Sequence, residues 1–197
     1  MQTNYYWLMV VLLLAGCAGA PTNVAKDTQP QATASGSGPD LSAVIDALND
    51  GKPIVAEALL RGFTQLYPDA GMPWVNIGLI YFRRSDWDRA QQAAEKALAL
   101  QPEVTVADYL LGLIAHQKNN APQALKHYQT SLEKDPQHAH SHYNLALLYD
   151  TFYQDLEKAV HHYRRYLELI EGEDEETLSW VSELEGQLAP EGGSDEG

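Results

Sequence analysis

The chain has 197 residues with 27 acidic and 13 basic side chains, a net charge of −14, and 45% hydrophobic residues. That length allows one elongated helical domain with a core of its own, and an acidic chain lacking a basic stripe argues against nucleic acid as a partner. The single cysteine, Cys17, rules out an intrachain disulfide and any multi-cysteine metal site.

From the start of the chain, Tyr5 to Gly16 is nearly all apolar and leads into Leu14-Ala15-Gly16-Cys17. This resembles a bacterial lipobox. The resemblance implies that residues 1–16 are a signal peptide and that Cys17 is the lipidation site and new N-terminus. The alternative is an uncleaved anchor, but the apolar run from Trp7 to Ala20 falls short of the roughly 20 residues needed to span a bilayer. Ala18 follows the cysteine where an inner-membrane retention signal would place Asp. By the same resemblance, that points to the periplasmic side of the outer membrane. Residues 17–39 are rich in Ala, Pro, Thr, Gln, Ser and Gly and read as a flexible tether.

The rest of the chain is organised by a recurring frame. Trp74, Ile77, Gly78 and Tyr81 lead to Ala90, Ala94 and Ala97 and end at Pro102. Thirty-four residues on, Leu111, Gly112 and Ala115 lead to Ala124, Tyr128 and Ser131 and end at Pro136. The frame is fainter upstream, in Ala56, Leu60, Phe63 and Pro68. Each unit holds two apolar-periodic runs joined by a short polar turn. This pattern resembles the tetratricopeptide repeat, a helix–turn–helix unit. The resemblance implies an all-α solenoid of about four repeats, at 37–70, 71–104, 105–138 and 139–172. Helices this short are marginal alone in water and must stack on one another.

Within the first unit Asp40 is positioned as an N-cap and Pro53 as a first helical residue. Gly78, Gly112 and Ala146 stand where paired helices meet Ala90, Ala124 and Ala159, so small side chains are expected to let backbones approach. The prolines are expected to close each second helix. In the fourth unit Ala159 arrives one residue late, which predicts an extra residue in the turn and a longer helix from Asp155 to Ile170. Residues 173–189 read as a capping helix with Leu178, Val181, Leu184 and Leu188 on one face. The acidic segment 190–197 reads as disordered. From Glu171 onward there are ten acidic residues and no basic one.

Family resemblance also implies a concave face lined by the first helix of each pair. Its binding row comprises Val75, Leu79, Phe82, Tyr109, Leu113, His116, Tyr143 and Leu147, with Leu41, Ile45, Leu48 and Asp150 at matching positions. An apolar, aromatic row suits an amphipathic helix or extended peptide. The Lys and Asn positions of the family's carboxylate clamp are not matched, so acidic C-terminal peptides are not the expected ligand. Phe152 and Tyr153, two aromatics in an inter-helix turn, are a second candidate contact: exposed, or folded back on the following helix.

His138, His140 and His142 alternate, with His161 and His162 downstream. Two of them at i, i+4 on a helix could ligate a metal only with further ligands such as Asp135, and a structural role is the ordinary reading. Neither a nucleophile motif nor a phosphate loop is visible, so no enzyme and no cofactor is expected. Together these features indicate a lipid-anchored, periplasm-facing scaffold binding a protein of the cell envelope. It resembles pilotins of type IV pilus secretins, adaptors of peptidoglycan hydrolases, and partners of TonB/Exb-type systems. The rival is a metal- or ligand-binding lipoprotein using the His138/His140/His142 cluster.

Overall fold

The computed structural model describes residues 41–171 and 174–189. Cys17, the tether, Asp40 and the acidic segment 190–197 lie outside the described residues. Those described are helical, with α1 at Ser42–Asn49, α2 at Pro53–Leu66, α3 at Met72–Arg83, α4 at Trp87–Leu100 and α5 at Thr105–Gln117. They continue with α6 at Ala121–Lys134, α7 at Ala139–Leu148, a π-helical turn at Tyr149–Tyr153, α8 at Leu156–Leu169 and α9 at Glu175–Leu188. The chain divides into two compact units within α2, one ending at Leu59 and the other beginning at Leu60. In the first, Val44 and Ala47 of α1 and Ala56 of α2 are buried. No described helix is long and apolar enough to cross a membrane.

One backbone device explains the repeat length. Gly51, Ser85 and Asn119 each take positive φ, at +70°, +58° and +55°. The amide after each returns to a carbonyl five residues back: Lys52 to Ala47, Asp86 to Tyr81, Asn120 to Ala115, at 2.8, 3.0 and 2.9 Å. These left-handed caps satisfy carbonyls that the ending helix leaves orphaned. The next helix then starts from a side-chain cap: Asp86 accepts from the Arg89 amide and Asn120 from the Gln123 amide. Each second helix ends before its proline, with Gln101 and Asp135 extended as a following proline requires.

The fourth unit makes the same turn one residue wider. Gln154 takes φ +54° and the Asp155 amide reaches back six residues to Tyr149 at 2.9 Å. The extra residue expected in this turn is therefore held in a π-helical turn. The helix after it is not longer than its predecessors: α8 has 14 residues, as do α2, α4 and α6. The insertion lies before the Asp155 cap, so none of it is passed to the helix.

Within the second unit each helix packs on its partner and on the next pair. Val75 of α3 forms a buried cluster with Ala97 of α4 and Ala107 of α5. A Cβ on Gly78 would lie 2.8 Å from Leu110 Cδ2 and 3.2 Å from the Ala90 carbonyl, so this glycine does bring α3 close to the α4 backbone. Gly112 serves a different end: a Cβ there would lie 2.4 Å from Cε1 and 2.5 Å from Cδ1 of Tyr128. It seats an aromatic ring and not a backbone, because Tyr128 fills the space between α5 and α6 and is wholly buried.

The face buried by α9 matches expectation at Val181 and Leu184 but not at Leu178 and Leu188. Thr177, Val181 and Leu184 are buried, whereas Leu178 and Leu188 are 46% and 40% exposed. Asp174 sets this rotation. Its carboxylate accepts from the Thr177 amide at 3.0 Å, the Thr177 hydroxyl at 2.8 Å and the Tyr166 hydroxyl at 3.2 Å. Thr177 is thereby turned onto α8, and Trp180 follows it inward, with its ring 6.0 Å from that of Tyr163 and 6.5 Å from that of Tyr143.

Candidate functional site

The expected binding row divides by burial. Val75, Phe82, Tyr109 and Leu113 are buried, whereas Leu79, His116, Tyr143 and Leu147 are half-buried. Phe82 packs on Trp87 at 5.0 Å. Tyr109 lies 4.9 Å from the His138 ring, and its hydroxyl accepts from Asn144 Nδ2 at 3.3 Å. Burial pushes this phenol far above its ordinary pKa, more than the Asn144 hydrogen bond lowers it. Such residues hold helices together, and the half-buried members present the accessible apolar surface. Leu41, Ile45 and Leu48 belong to the first unit, where Ile45 is exposed.

Leu147 opens onto a cleft of about 240 Å³ also lined by Asp150, Tyr163, Trp180, Glu183, Leu184 and Gln187. It is built from the end of α7 and the π-helical turn, from α8, and from α9. The Asp150 carboxyl is held above its ordinary pKa by burial and then by the neighbouring Glu183 charge. Trp180, Glu183 and Gln187 escape the sequence reading, because leucine spacing brings only Leu184 of α9 to this cleft.

In the wide turn, Phe152 is 58% exposed. Tyr153 is also exposed, at 37%, with its ring 5.8 Å from that of Tyr149 in the same turn. Tyr149 is itself stacked on His162 at 5.7 Å with 7° between the planes.

The histidines have separate structural partners. His138 is the N-cap of α7 and not a residue on its face: its Nδ1 accepts from the Ser141 amide at 3.3 Å and lies 2.8 Å from Ser141 Oγ. Ser141 Oγ in turn meets Ser131 Oγ at 2.8 Å. Burial, helped by His140, lowers His138 to about 4. His142 Nε2 faces the Pro136 carbonyl at 3.1 Å, so that nitrogen must carry the proton, which leaves Nδ1 to accept from His162 Nδ1 at 2.9 Å. His162 is also lowered to about 4, by burial first and then by His142. Asp135 accepts from the Gln137 amide. Among the described residues no group of three or more His, Cys, Asp or Glu could hold a metal ion.

A second polar contact pins the third unit. Asp108 is buried on α5 and pairs with Lys134 of α6, which also donates to the Pro102 carbonyl. Burial acts to raise the Asp108 carboxyl, but the bonds from His127 and Lys134 outweigh it and leave its pKa below the ordinary value.

In the second unit, helix pairs closed by left-handed caps, each leaning on the next, with half-covered apolar side chains along the first helices, define a helical-repeat scaffold. A family model described as the tetratricopeptide repeat matches residues 41–102, 75–128 and 109–174, and the chain belongs to that family. It is similar to the E3 ubiquitin-protein ligase CHIP of Arabidopsis thaliana, with 31% identity over 68 residues, 34% of this chain and 24% of the ligase. The chain thus spans about a quarter of that relative's length. Among solved structures it is similar to MamA (residue 41 to the end) from Desulfovibrio magneticus RS-1, with 22% identity and a TM-score of 0.55. That match covers 75% of this chain and 93% of the other. The first repeat domain of Spaghetti (RPAP3), bound to the HSP90 peptide SRMEEVD, is similar at 18% identity and a TM-score of 0.55, covering 61% and 94%. At these identities the structural likeness shows the fold. Membership in this repeat family makes the chain a protein-interaction scaffold.

Proposed function

We propose that the chain is a lipid-anchored, periplasm-facing scaffold that holds another protein during assembly or regulation of a cell-envelope complex. The observation that carries the binding reading is the half-buried apolar and aromatic surface of Leu79, Tyr143, Leu147 and Trp180. Side chains so placed in a folded repeat suit an amphipathic helix or an extended segment of a partner. The lipobox-like Leu14-Ala15-Gly16-Cys17 supports the anchor and its envelope location.

The experiment places a photo-reactive residue at Leu147 of the full chain in its native cell and identifies the captured protein by mass spectrometry. The expected product is an envelope protein, and capture is lost in a Tyr143→Ala/Trp180→Ala variant whose circular dichroism matches the wild type. Capture that survives in that folded variant overturns the binding surface. The mature chain is expected to begin at diacylated Cys17, and an intact, unacylated N-terminus overturns the anchor.

A further inference from the structure

The cleft at the end of the row has a composition that an apolar groove does not need. Two carboxylates, Asp150 from the π-helical turn and Glu183 from α9, line it beside Tyr163 and Trp180. They are close enough for Glu183 to hinder ionisation of Asp150. Among the described residues neither makes an ion pair or a hydrogen bond, although carboxylates nearby do find partners, as the exposed Glu168 does with Arg165 and the half-buried Glu185 with Arg164. Residues 166–197 hold no Lys, Arg or His, so α9 brings no cation of its own to the cleft. An aromatic wall beside paired carboxylates suits a flat cation: a guanidinium can stack on the indole while its N–H groups reach both acids.

We propose that this cleft receives an arginine side chain presented by the protein partner. The inference rests on the scaffold proposal and names the chemistry of one contact within it. Charge complementarity selects the occupant, because a cation gives the half-buried Asp150 and the exposed Glu183 beside it a shared counter-charge, which an apolar or acidic side chain does not. The wide turn matters here, since it carries Asp150 on the segment that closes the first helix of the fourth pair.

The test uses the full chain labelled with nitrogen-15 and two short probes, acetyl-Ala-Arg-Ala-amide and its citrulline counterpart, which keeps the shape and loses the charge. The Trp180 indole resonance, assigned by its absence in Trp180→Phe, reports on the cleft. The arginine probe is expected to shift this resonance along a saturating curve. The citrulline probe, or an Asp150→Asn/Glu183→Gln variant of unchanged circular dichroism, is expected to weaken binding about tenfold or more. No shift with the arginine probe, equal shifts with both probes, or an unchanged curve in the folded variant overturns the inference. The Leu147 photo-capture is run in parallel. A partner still captured by Asp150→Asn/Glu183→Gln as well as by the wild type refutes the arginine contact alone, whereas capture insensitive to Tyr143→Ala/Trp180→Ala refutes the scaffold surface.

Discussion

Gly112→Ala adds one methyl group where the structure has no room for it. The new Cβ would stand 2.4 Å from Tyr128 Cε1 and 3.1 Å from Cζ, against a normal carbon–carbon separation of about 3.5–4.0 Å. The ring would have to retreat by about 1 Å, and Tyr128 is wholly buried with packed neighbours behind it. Overpacking of this kind costs about 1–3 kcal/mol, and the contact falls at the upper end of that range. Alanine in a helix interior returns about 1 kcal/mol over glycine. The net loss is therefore about 1–2 kcal/mol, which at this chain length lowers Tm by about 2–8 °C. Thermal unfolding followed by circular dichroism measures it. A Tyr128→Leu background removes the ring, and there the same Gly112→Ala change should be neutral or stabilising by up to about 1 kcal/mol. An undiminished Tm in the single variant, or equal losses in both backgrounds, would refute the ring-seat account. Gly112→Leu should exceed the alanine loss, since it drives a larger side chain into the same ring.

Three further outcomes are expected from the packing and the polar contacts. Gly62 and Gly186 sit within α2 and α9 with nothing within 4 Å of an added Cβ, so alanine at either should raise stability by up to about 1 kcal/mol, read from the denaturant midpoint. Lys134→Met leaves the Asp108 carboxylate buried without its main partner and should cost about 1–3 kcal/mol, with much of the loss absent when Asp108→Asn is added in a double-mutant cycle. For pH, His138 and His162 are lowered to about 4 in the fold against about 6.5 unfolded. Both states are neutral above that range. Between about pH 6.5 and 4 the unfolded chain takes up protons that the fold refuses, so stability falls as pH falls. The slope is at most about 1.4 kcal/mol per pH unit for each such histidine. His138→Asn keeps a capping acceptor without titrating and should flatten the slope measured by unfolding titrations at pH 4.5, 5.5 and 7. An identical slope would refute the assignment.

The 34-residue frame was readable because it is a backbone requirement: the same cap recurs at Gly51, Ser85 and Asn119, and turn-tolerant residues mark it. The late arrival of Ala159 announced the surplus residue of the fourth unit. Its placement before the Asp155 cap was not readable, since only the hydrogen bond to Tyr149 decides which side of the turn absorbs it. Leucine spacing on α9 located Val181 and Leu184 but misplaced Leu178 and Leu188 for a related reason. Helical period identifies faces, but Asp174 and the three donors it accepts from choose which face turns inward. In the binding row, register located Leu79, Tyr143 and Leu147 on first helices. How far neighbours cover each of them depends on residues from other helices, such as Trp87 over Phe82 and His138 over Tyr109. Histidine spacing, likewise, carried no information about whether Pro136 or Ser141 would be the partner.

Because the surplus residue is swallowed between Tyr149 and Asp155, Ala159 and Tyr163 stay wholly buried and α8 keeps in step with the helices before it. A lineage of such chains can therefore lengthen or shorten at a helix exit without re-threading the helices downstream of it. The exit that takes the insertion also liberates side chains from packing: Phe152 points outward and Asp150 borders open space, so a slip in repeat length becomes raw material for a new contact.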